Sequence, residues 1–193
     1  MLLDQEVQGN NRAFEIHPGL VSLPLQQHIT PCSTCHRFYA LCYFHQESWY
    51  EQQKICHNTY IVFTDGACSN NGRTELAQVG VGVFAGPSHP DTHDEINISI
   101  PLKESMFNNA VEQKTSQSAE LVAAITGVHW FLGEMDRIML EKEPHQLNKK
   151  QKRCRNNYEQ SGETKRNLVI ATDSQYVVKG MSEWLLNWKV RIF

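Results

Sequence analysis

The chain has 193 residues, of which 40% are hydrophobic and 20% are charged, a composition typical of a globular domain with one core and an extension. A formal net charge of −3 excludes a global electrostatic attraction to nucleic acid, so any such binding must come from local patches. Asp4 and Glu6 lie where a signal peptide has its apolar core, and no stretch approaches the ~18–20 apolar residues of a membrane-spanning helix. We therefore expect an intracellular protein, nuclear or cytoplasmic, that is not secreted and has no membrane partner.

Residues 1–57 have weak periodicity and hold four of the six cysteines, so we predict a Cys/His-rich N-terminal extension. Without a secretory signal, free thiols or metal ligands are expected rather than disulfides. The spacing C-x2-C-x6-C-x2-H within CSTCHRFYALCYFH suits tetrahedral zinc, although the middle gap is short for a zinc ribbon. The alternative is an extension with reduced thiols and no metal. The candidate zinc ligands are Cys32, Cys35, Cys42 and His45, and the rival ligands are His36, Cys56 and His57.

Three strands are predicted next. TYIVFTD is an apolar, β-branched run, and QVGVGVFAG alternates strictly, with Val79, Val81 and Val83 on one face. EINISI also alternates, and the turn-forming segment GPSHPDTHD between these last two strands predicts a hairpin. These three strands are expected to form an antiparallel meander.

A helix, a further strand and a second helix follow. The helix in SQSAELVAAITGVHWFLGEM is predicted from apolar residues at helical spacing. NLVIATD is apolar on both faces, as in a central strand, and SQYVVKGMSEWLLNWK predicts a helix broken near Gly180. A polar insertion at about 134–166 separates the first helix from the last strand. The element order predicts an α/β fold with a mixed sheet, the meander plus one parallel strand, and flanking helices. The apolar residues at helical spacing that predict this amphipathic helix are Leu121, Ala124, Ile125, Val128 and Leu132.

Three acids are placed to meet at one edge of this sheet. Asp65 and Asp173 both end apolar strands in a Thr-Asp pair, and parallel neighbouring strands end side by side, ~5 Å apart. Glu120 opens the first helix among small alanines, so the helix start can approach the strand ends. Converging carboxylates repel each other unless a cation lies between them, and Mg²⁺ prefers oxygen ligands. The pattern therefore predicts a metal site able to hold two Mg²⁺ ions for phosphodiester hydrolysis.

Each acid also has a simpler explanation when taken alone. An Asp after a strand is often a turn or cap residue, and a Glu in a first helical turn is often only a partner of the helix dipole. The matched strand endings and the alanines beside Glu120 favour the shared site.

Three segments together resemble the ribonuclease H type 1 domain family: FTDGACSNNG, TSQSAELVAAI and IATDSQYVVKGMSEWLLNWK. They occur in the family's order over roughly residues 60–189, each on the expected element. The resemblance implies an RNase H-like fold and an Mg²⁺-dependent endonuclease, also served by Mn²⁺, that hydrolyses the RNA strand of RNA–DNA hybrids. It further implies that Asp65 bridges two metal ions, Glu120 shares one of them and orients the water, and Asp173 holds the other.

The resemblance also suggests contacts with the hybrid. A wide minor groove displaying 2′-hydroxyl groups is how proteins tell RNA from DNA. Capping or turn duty is the simpler explanation for each of these polar residues, especially for Ser116 ahead of a helix. The implied substrate contacts are Cys68, Ser69 and Asn70 in the loop after the first strand, Ser116 and Gln117 at the helix start, and Gln175.

The sequence departs from the family after its second helix. The family domain continues with a basic protrusion, a fifth strand, a loop histidine, a fourth Asp and a closing helix, which this chain does not match. We therefore expect 58–193 to be an RNase H type 1 domain lacking its C-terminal part, with a poorly held second metal. The rival reading is a catalytically impaired remnant that binds hybrid or RNA. A third hypothesis is a zinc-stabilised interaction protein in which the nuclease-like domain serves only as a structural scaffold.

The polar insertion contains KKQKRCR, which has five basic residues in seven over 149–155. Such a run can grip phosphates or act as a nuclear localisation signal. A solvated loop is the simpler reading.

Overall fold

The computed structural model describes residues 13–33, 35–41, 57–71, 76–87, 97–102, 114–140 and 166–184, with the side chains of 137–140 outside that description. Across these ranges, no helix combines the length and apolar character needed to cross a bilayer. The strands are β1 (Ile29–Pro31), β2 (Phe38–Ala40), β3 (Thr59–Ser69), β4 (Gln78–Phe84), β5 (Asn97–Leu102) and β6 (Asn167–Ala171). Two short 3₁₀-helices, Pro18–Leu20 and Leu25–His28, precede β1. The α-helices are α1 (Ser116–Leu140) and α2 (Gln175–Lys179), and α2 continues into one π-helical turn, Gly180–Trp184, so the predicted change at Gly180 is present.

Strand β3 lies at the centre of the sheet. Its C-terminal part pairs antiparallel with β4, from Phe63 opposite Phe84 to Ser69 opposite Gln78, and β4 pairs antiparallel with β5. Its N-terminal part pairs in parallel with β6. The predicted α/β fold, a meander plus one parallel strand with flanking helices, is confirmed.

The hairpin formed by β1 and β2 extends the same sheet. Tyr39 in β2 pairs with Tyr60 in β3, and the Phe38 N–H donates a 2.9 Å hydrogen bond to the Ala85 carbonyl just after β4. Sheet pairing therefore reaches into the segment predicted as an extension. The division of the chain at residue 57 remains a prediction.

Helix α1 packs against the sheet through a row of small residues. Ala119 and Ala123 are fully buried, and a Cβ built on Gly127 would lie 2.8 Å from Cγ2 of Thr64 and 3.4 Å from Cγ1 of Val62. These three helix positions are four residues apart, so they share one helix face. A face without long side chains lets the helix backbone lie close to β3.

The predicted helix is present, but part of the apolar stripe from which it was predicted does not face the sheet. Ile125, Val128 and Leu132 are 55%, 38% and 52% exposed. The small-residue row faces the sheet instead, because close approach to β3 leaves no room for branched side chains. The helix also continues to Leu140, into the predicted polar insertion, while 141–165 and the basic run 149–155 lie outside the described residues.

A buried ion pair ties the N-terminal hairpin to α1. The Arg37 Nε donates a 3.2 Å hydrogen bond to Glu134 Oε1, and the two side chains are only 5% and 8% exposed. The guanidinium also lies 5.4 Å from the ring centroid of Trp130. The polar pattern around Glu134 did not predict its burial, because its partner is distant in sequence.

We expect Arg37→Met to destabilise the chain by ~3–5 kcal/mol, because it leaves the buried Glu134 carboxylate without its cation. Urea unfolding followed by circular dichroism measures the change. Lys179→Met, at an exposed position of α2, is the matched control and should change stability little. In the double variant Arg37→Met/Glu134→Met the loss should be smaller than in Arg37→Met alone. A double variant that loses the sum of the single effects would contradict a coupled pair.

Candidate metal centre and substrate surface

The three predicted acids converge in the structure. One carboxylate oxygen from each of Asp65, Glu120 and Asp173 lies within 4.8 Å of the others. The register explains the two aspartates: Phe63 is opposite Ala171 in the parallel pair, and each aspartate follows its strand residue by two positions. The matched Thr-Asp endings in the sequence therefore correspond to matched positions in space.

Glu120 reaches this site because α1 begins against the backbone of β3. A Cβ on Gly66 would overlap the Ala119 carbonyl group and the Glu120 backbone nitrogen. Gly66 also donates a backbone hydrogen bond to the Glu120 carboxylate. Only glycine at position 66 lets α1 begin close enough to β3 for Glu120 to reach the two aspartates.

The start of α1 is fixed by a reciprocal cap. The Ser118 N–H donates to Thr115 Oγ1 at 3.1 Å, and the Thr115 N–H donates to Ser118 Oγ at 3.0 Å. Asn71 Oδ1 accepts a 3.2 Å hydrogen bond from the Ser116 N–H, which joins the chain after β3 to the helix start. Thr115 and Asn71 were missed by the sequence reasoning, although Thr directly before a helix is a favoured N-cap residue.

The site is electrostatically strained. Burial, followed by the negative charges of Asp65 and Asp173, raises the pKa of Glu120. Within the described part of the chain, no Lys or Arg forms a salt bridge with any of the three acids. Glu120 Oε2 is buried and has no hydrogen-bond partner there. The arrangement lacks a positive charge at its centre.

These residues fit a hard divalent cation. Mg²⁺ binds oxygen at ~2.1 Å in octahedral geometry, which separates neighbouring ligand oxygens by ~3 Å and opposite ones by ~4.2 Å. The three oxygens lie within 4.8 Å of one another, within reach of one such ion, and every donor is a carboxylate oxygen. Glu120 Oε2, which has no hydrogen-bond partner among the described residues, could coordinate such a cation.

An open groove of ≈670 Å³ begins at the two aspartates and runs over the sheet. The register puts most of its lining on the sheet face away from α1. The groove offers a surface beside the acids that a polymer can occupy. Its lining includes Phe63, Asp65, Phe84, Asn97, Ala171 and Asp173.

The predicted substrate contacts fall into two groups. Cys68, Ser69 and Asn70 lie at the end of β3, next to Ser116 and Gln117, because the Cys68 thiol donates to the Lys114 carbonyl at 3.4 Å. The other group is Gln175, which begins α2 beyond Asp173.

Several of these groups also have structural duties. Ser69 Oγ and the Gln78 backbone exchange hydrogen bonds, and Asn70, at a positive φ of 53°, donates from Nδ2 to the Leu76 carbonyl at 3.2 Å. Ser116 is not the helix cap, since Thr115 has that position. Gln117 and Gln175 are exposed. Contact between any of these residues and nucleic acid remains a prediction.

The predicted zinc ligands are only partly within the described residues. Cys32 and Cys35 lie together, with His57 beside them. Cys42, His45 and the rival Cys56 lie outside the described residues, and His36 is not part of the cluster.

Comparison with known proteins identifies similar proteins that are named ribonucleases H. The chain is 29% identical over 129 residues to Ribonuclease H1 of Mus musculus, covering 67% of this chain and 30% of the relative. It is 27% identical over 144 residues to Ribonuclease H of Schizosaccharomyces pombe, covering 75% and 37%, and 32% identical over 144 residues to that of Crithidia fasciculata, covering 66% and 23%. No protein-family model matches the chain.

A solved structure of a type 1 RNase H with the type 2 active-site motif aligns with 71% of this chain and 49% of its own. Its TM-score is 0.36 at 21% identity. The match to this chain spans only about a third of the length of the mouse and yeast relatives. The sequence matches confirm the predicted resemblance and support an RNase H-like domain in this chain.

We expect Gly66→Ala to destabilise the chain by ~1–3 kcal/mol, the usual cost of overpacking, because the added methyl group displaces the start of α1. Gly80→Ala is the matched control, since its Cβ would meet its nearest neighbour at an ordinary 3.8 Å. Thermal unfolding with and without Mg²⁺ measures both effects. Gly66→Ala should also lose the stabilisation given by Mg²⁺, and equal behaviour of the two variants would contradict the close approach.

We expect Glu120→Gln to raise the Tm of the metal-free protein at neutral pH. Because the folded-state pKa of Glu120 is raised, its stabilising contribution is complete below its ordinary value of 4.5 and is lost as the pH rises through the raised value. The amide stays neutral throughout.

The Tm difference between Glu120→Gln and the wild type in EDTA should therefore grow from acidic to neutral pH. Glu183→Gln, at an exposed position, is the control and should show no such trend. A difference that is largest at acidic pH would contradict the assigned direction.

Proposed function

We propose that this chain, through its RNase H-like domain, is an endoribonuclease that hydrolyses the RNA strand of RNA–DNA hybrids. The observation that carries the proposal is the convergence of Asp65, Glu120 and Asp173 at the ends of two parallel strands. The names of the relatives, all ribonucleases H, support the same reaction class. Mg²⁺, or Mn²⁺ in its place, is the proposed cofactor.

The three carboxylates would hold the metal. When bound, Mg²⁺ supplies an activated water and stabilises the leaving oxygen of the phosphodiester. Asp65 and Asp173 come from strands locked in parallel register, and Glu120 from a capped helix start, so their positions are fixed before substrate binds. Such preorganisation avoids reorganisation at the moment of reaction.

The hybrid would contact the surface on both sides of the acids. The proposed contacts are Ser69 and Asn70 at the end of β3, Gln117 in the first turn of α1, and Gln175 at the start of α2. Hydroxyl and amide groups can both donate to and accept from a ribose 2′-hydroxyl, which is the group that distinguishes RNA from DNA. Because the net charge is −3, we propose that binding depends on this local surface rather than on overall charge.

The first test is cleavage of a labelled RNA–DNA hybrid in Mg²⁺ or Mn²⁺, beside double-stranded RNA and DNA. We expect cutting of the hybrid alone. Asp65→Asn and Asp173→Asn should each lower the rate by roughly 10²–10³-fold or more, the usual cost of removing an electrostatic group at a reacting centre. Asp136→Asn, at an exposed position of α1 away from the cluster, is the matched control and should keep the wild-type rate.

The same samples distinguish cleavage from binding. A folded chain that binds the hybrid in a gel-shift assay without cutting it would contradict the enzyme and favour the impaired hybrid-binding remnant. Equal cleavage by the wild type and Asp65→Asn would instead point to a contaminating nuclease and contradict the assigned site.

A further inference from the structure

A second group of metal-ligand atoms lies at the opposite end of β3 from the acids. The Sγ atoms of Cys32 and Cys35 and a ring nitrogen of His57 lie within 4.8 Å of one another. The His57 Nε2 is 3.3 Å from Cys32 Sγ. Neither cysteine forms a disulfide; Cys32 is buried, and Cys35 and His57 are half-buried. No step of the proposed RNA cleavage uses these groups.

The two cysteines are presented by the turn between β1 and β2. The Cys32 N–H donates to the Arg37 carbonyl at 2.9 Å, and the His36 N–H donates back to the Cys32 carbonyl at 2.8 Å. His36 has a positive φ of 55°, which closes the turn and brings both sulfurs to one side. A Cβ on Gly86 would overlap the His36 carbonyl, so Gly86 lets this turn lie against the end of β4.

The histidine comes from the other side of the cluster and is held by packing. His57 lies two residues before β3 begins, and its ring meets Tyr39 edge-on at a centroid distance of 4.5 Å. The Tyr39 hydroxyl is 3.3 Å from Cys35 Sγ. One buried tyrosine therefore orients the histidine and contacts the second sulfur, as partners outside the first ligand layer do in metal sites.

The donor set and its spacing suit zinc rather than magnesium. Zinc binds sulfur at ~2.3 Å and imidazole nitrogen at ~2.1 Å, so tetrahedral geometry separates N from S by ~3.5 Å and S from S by ~3.8 Å. The observed distance from His57 Nε2 to Cys32 Sγ, 3.3 Å, is close to the ideal N–S separation, and all three ligand atoms lie within 4.8 Å of one another. Soft thiolates also select zinc over the hard ions that carboxylates prefer.

We propose that Cys32, Cys35 and His57 bind one Zn²⁺ ion, which fastens the β1–β2 hairpin to the start of β3. The predicted pair Cys32 and Cys35 is kept, and His57, first weighed as a rival, becomes the third ligand. The ion would close the chain between residues 35 and 57. Because the site forms only in the folded chain, zinc binding would contribute to folding stability.

Metal content of the full chain, purified without added metal or chelator, is the direct test. We expect one zinc ion per chain by elemental mass spectrometry, falling to background in Cys32→Ser and His57→Gln. Cys68→Ser and His129→Gln are the matched controls, since both residues lie outside the cluster, and they should keep the zinc. A folded wild-type chain without zinc, or with a Cys32–Cys35 disulfide under reducing conditions, would overturn the proposal.

Cobalt substitution identifies the ligands in the wild-type chain, so it does not depend on whether a variant folds. The wild-type chain with Co²⁺ should show tetrahedral visible bands and a near-ultraviolet charge-transfer band from sulfur. Tyr39→Phe keeps the ring against His57 but removes the hydroxyl at Cys35, and should weaken zinc binding by about 10-fold. Octahedral cobalt without the sulfur band would overturn the assignment.

The acidic site provides an independent control. Asp65→Asn should lose hybrid cleavage and keep its zinc. Loss of zinc in Asp65→Asn would move the ion to the carboxylates and overturn this site, whatever the outcome for cleavage.

Discussion

The backbone contact between Gly66 in β3 and Ala119 in α1 is the constraint on which the acidic site depends. No side chain fits between these two residues, so the helix begins directly against the strand. The contact sets where Glu120 lies, while the parallel register of β3 and β6 sets where the two aspartates lie. If the start of α1 moved away from β3 by a few tenths of an ångström, Glu120 would be displaced from the two aspartates. Metal ligands tolerate little such displacement.

Strand β3 joins two sites of different chemistry. Its C-terminal half carries the carboxylate cluster, and the hairpin and His57 lie at its N-terminal start. At ~3.3 Å per residue, the six steps of β3 from Thr59 to Asp65 alone span roughly 20 Å. That separation excludes shared ligands.

The convergence of Asp65, Glu120 and Asp173 could be predicted from the sequence because its signals are local. The two matched strand endings and the alanine-flanked glutamate are visible directly in the sequence. A crossover helix joins parallel strands of one sheet, which predicts that the two strand endings lie side by side. The buried face of α1 could not be read from the sequence, because hydrophobic periodicity selects large apolar residues such as Ile125 and Leu132. The packing was instead decided by Gly127 and its neighbouring alanines. Three-residue strands such as β1 are too short for periodicity to be read.

The contact between Arg37 and Glu134 joins residues 97 positions apart in the chain. During synthesis the arginine leaves the ribosome long before its partner, so the N-terminal hairpin cannot complete its packing until most of α1 has emerged. Closing so long a loop is entropically costly and slows folding. The nascent chain would expose Tyr39, which is buried in the folded protein, throughout that interval, and such transient apolar surface is prone to aggregation.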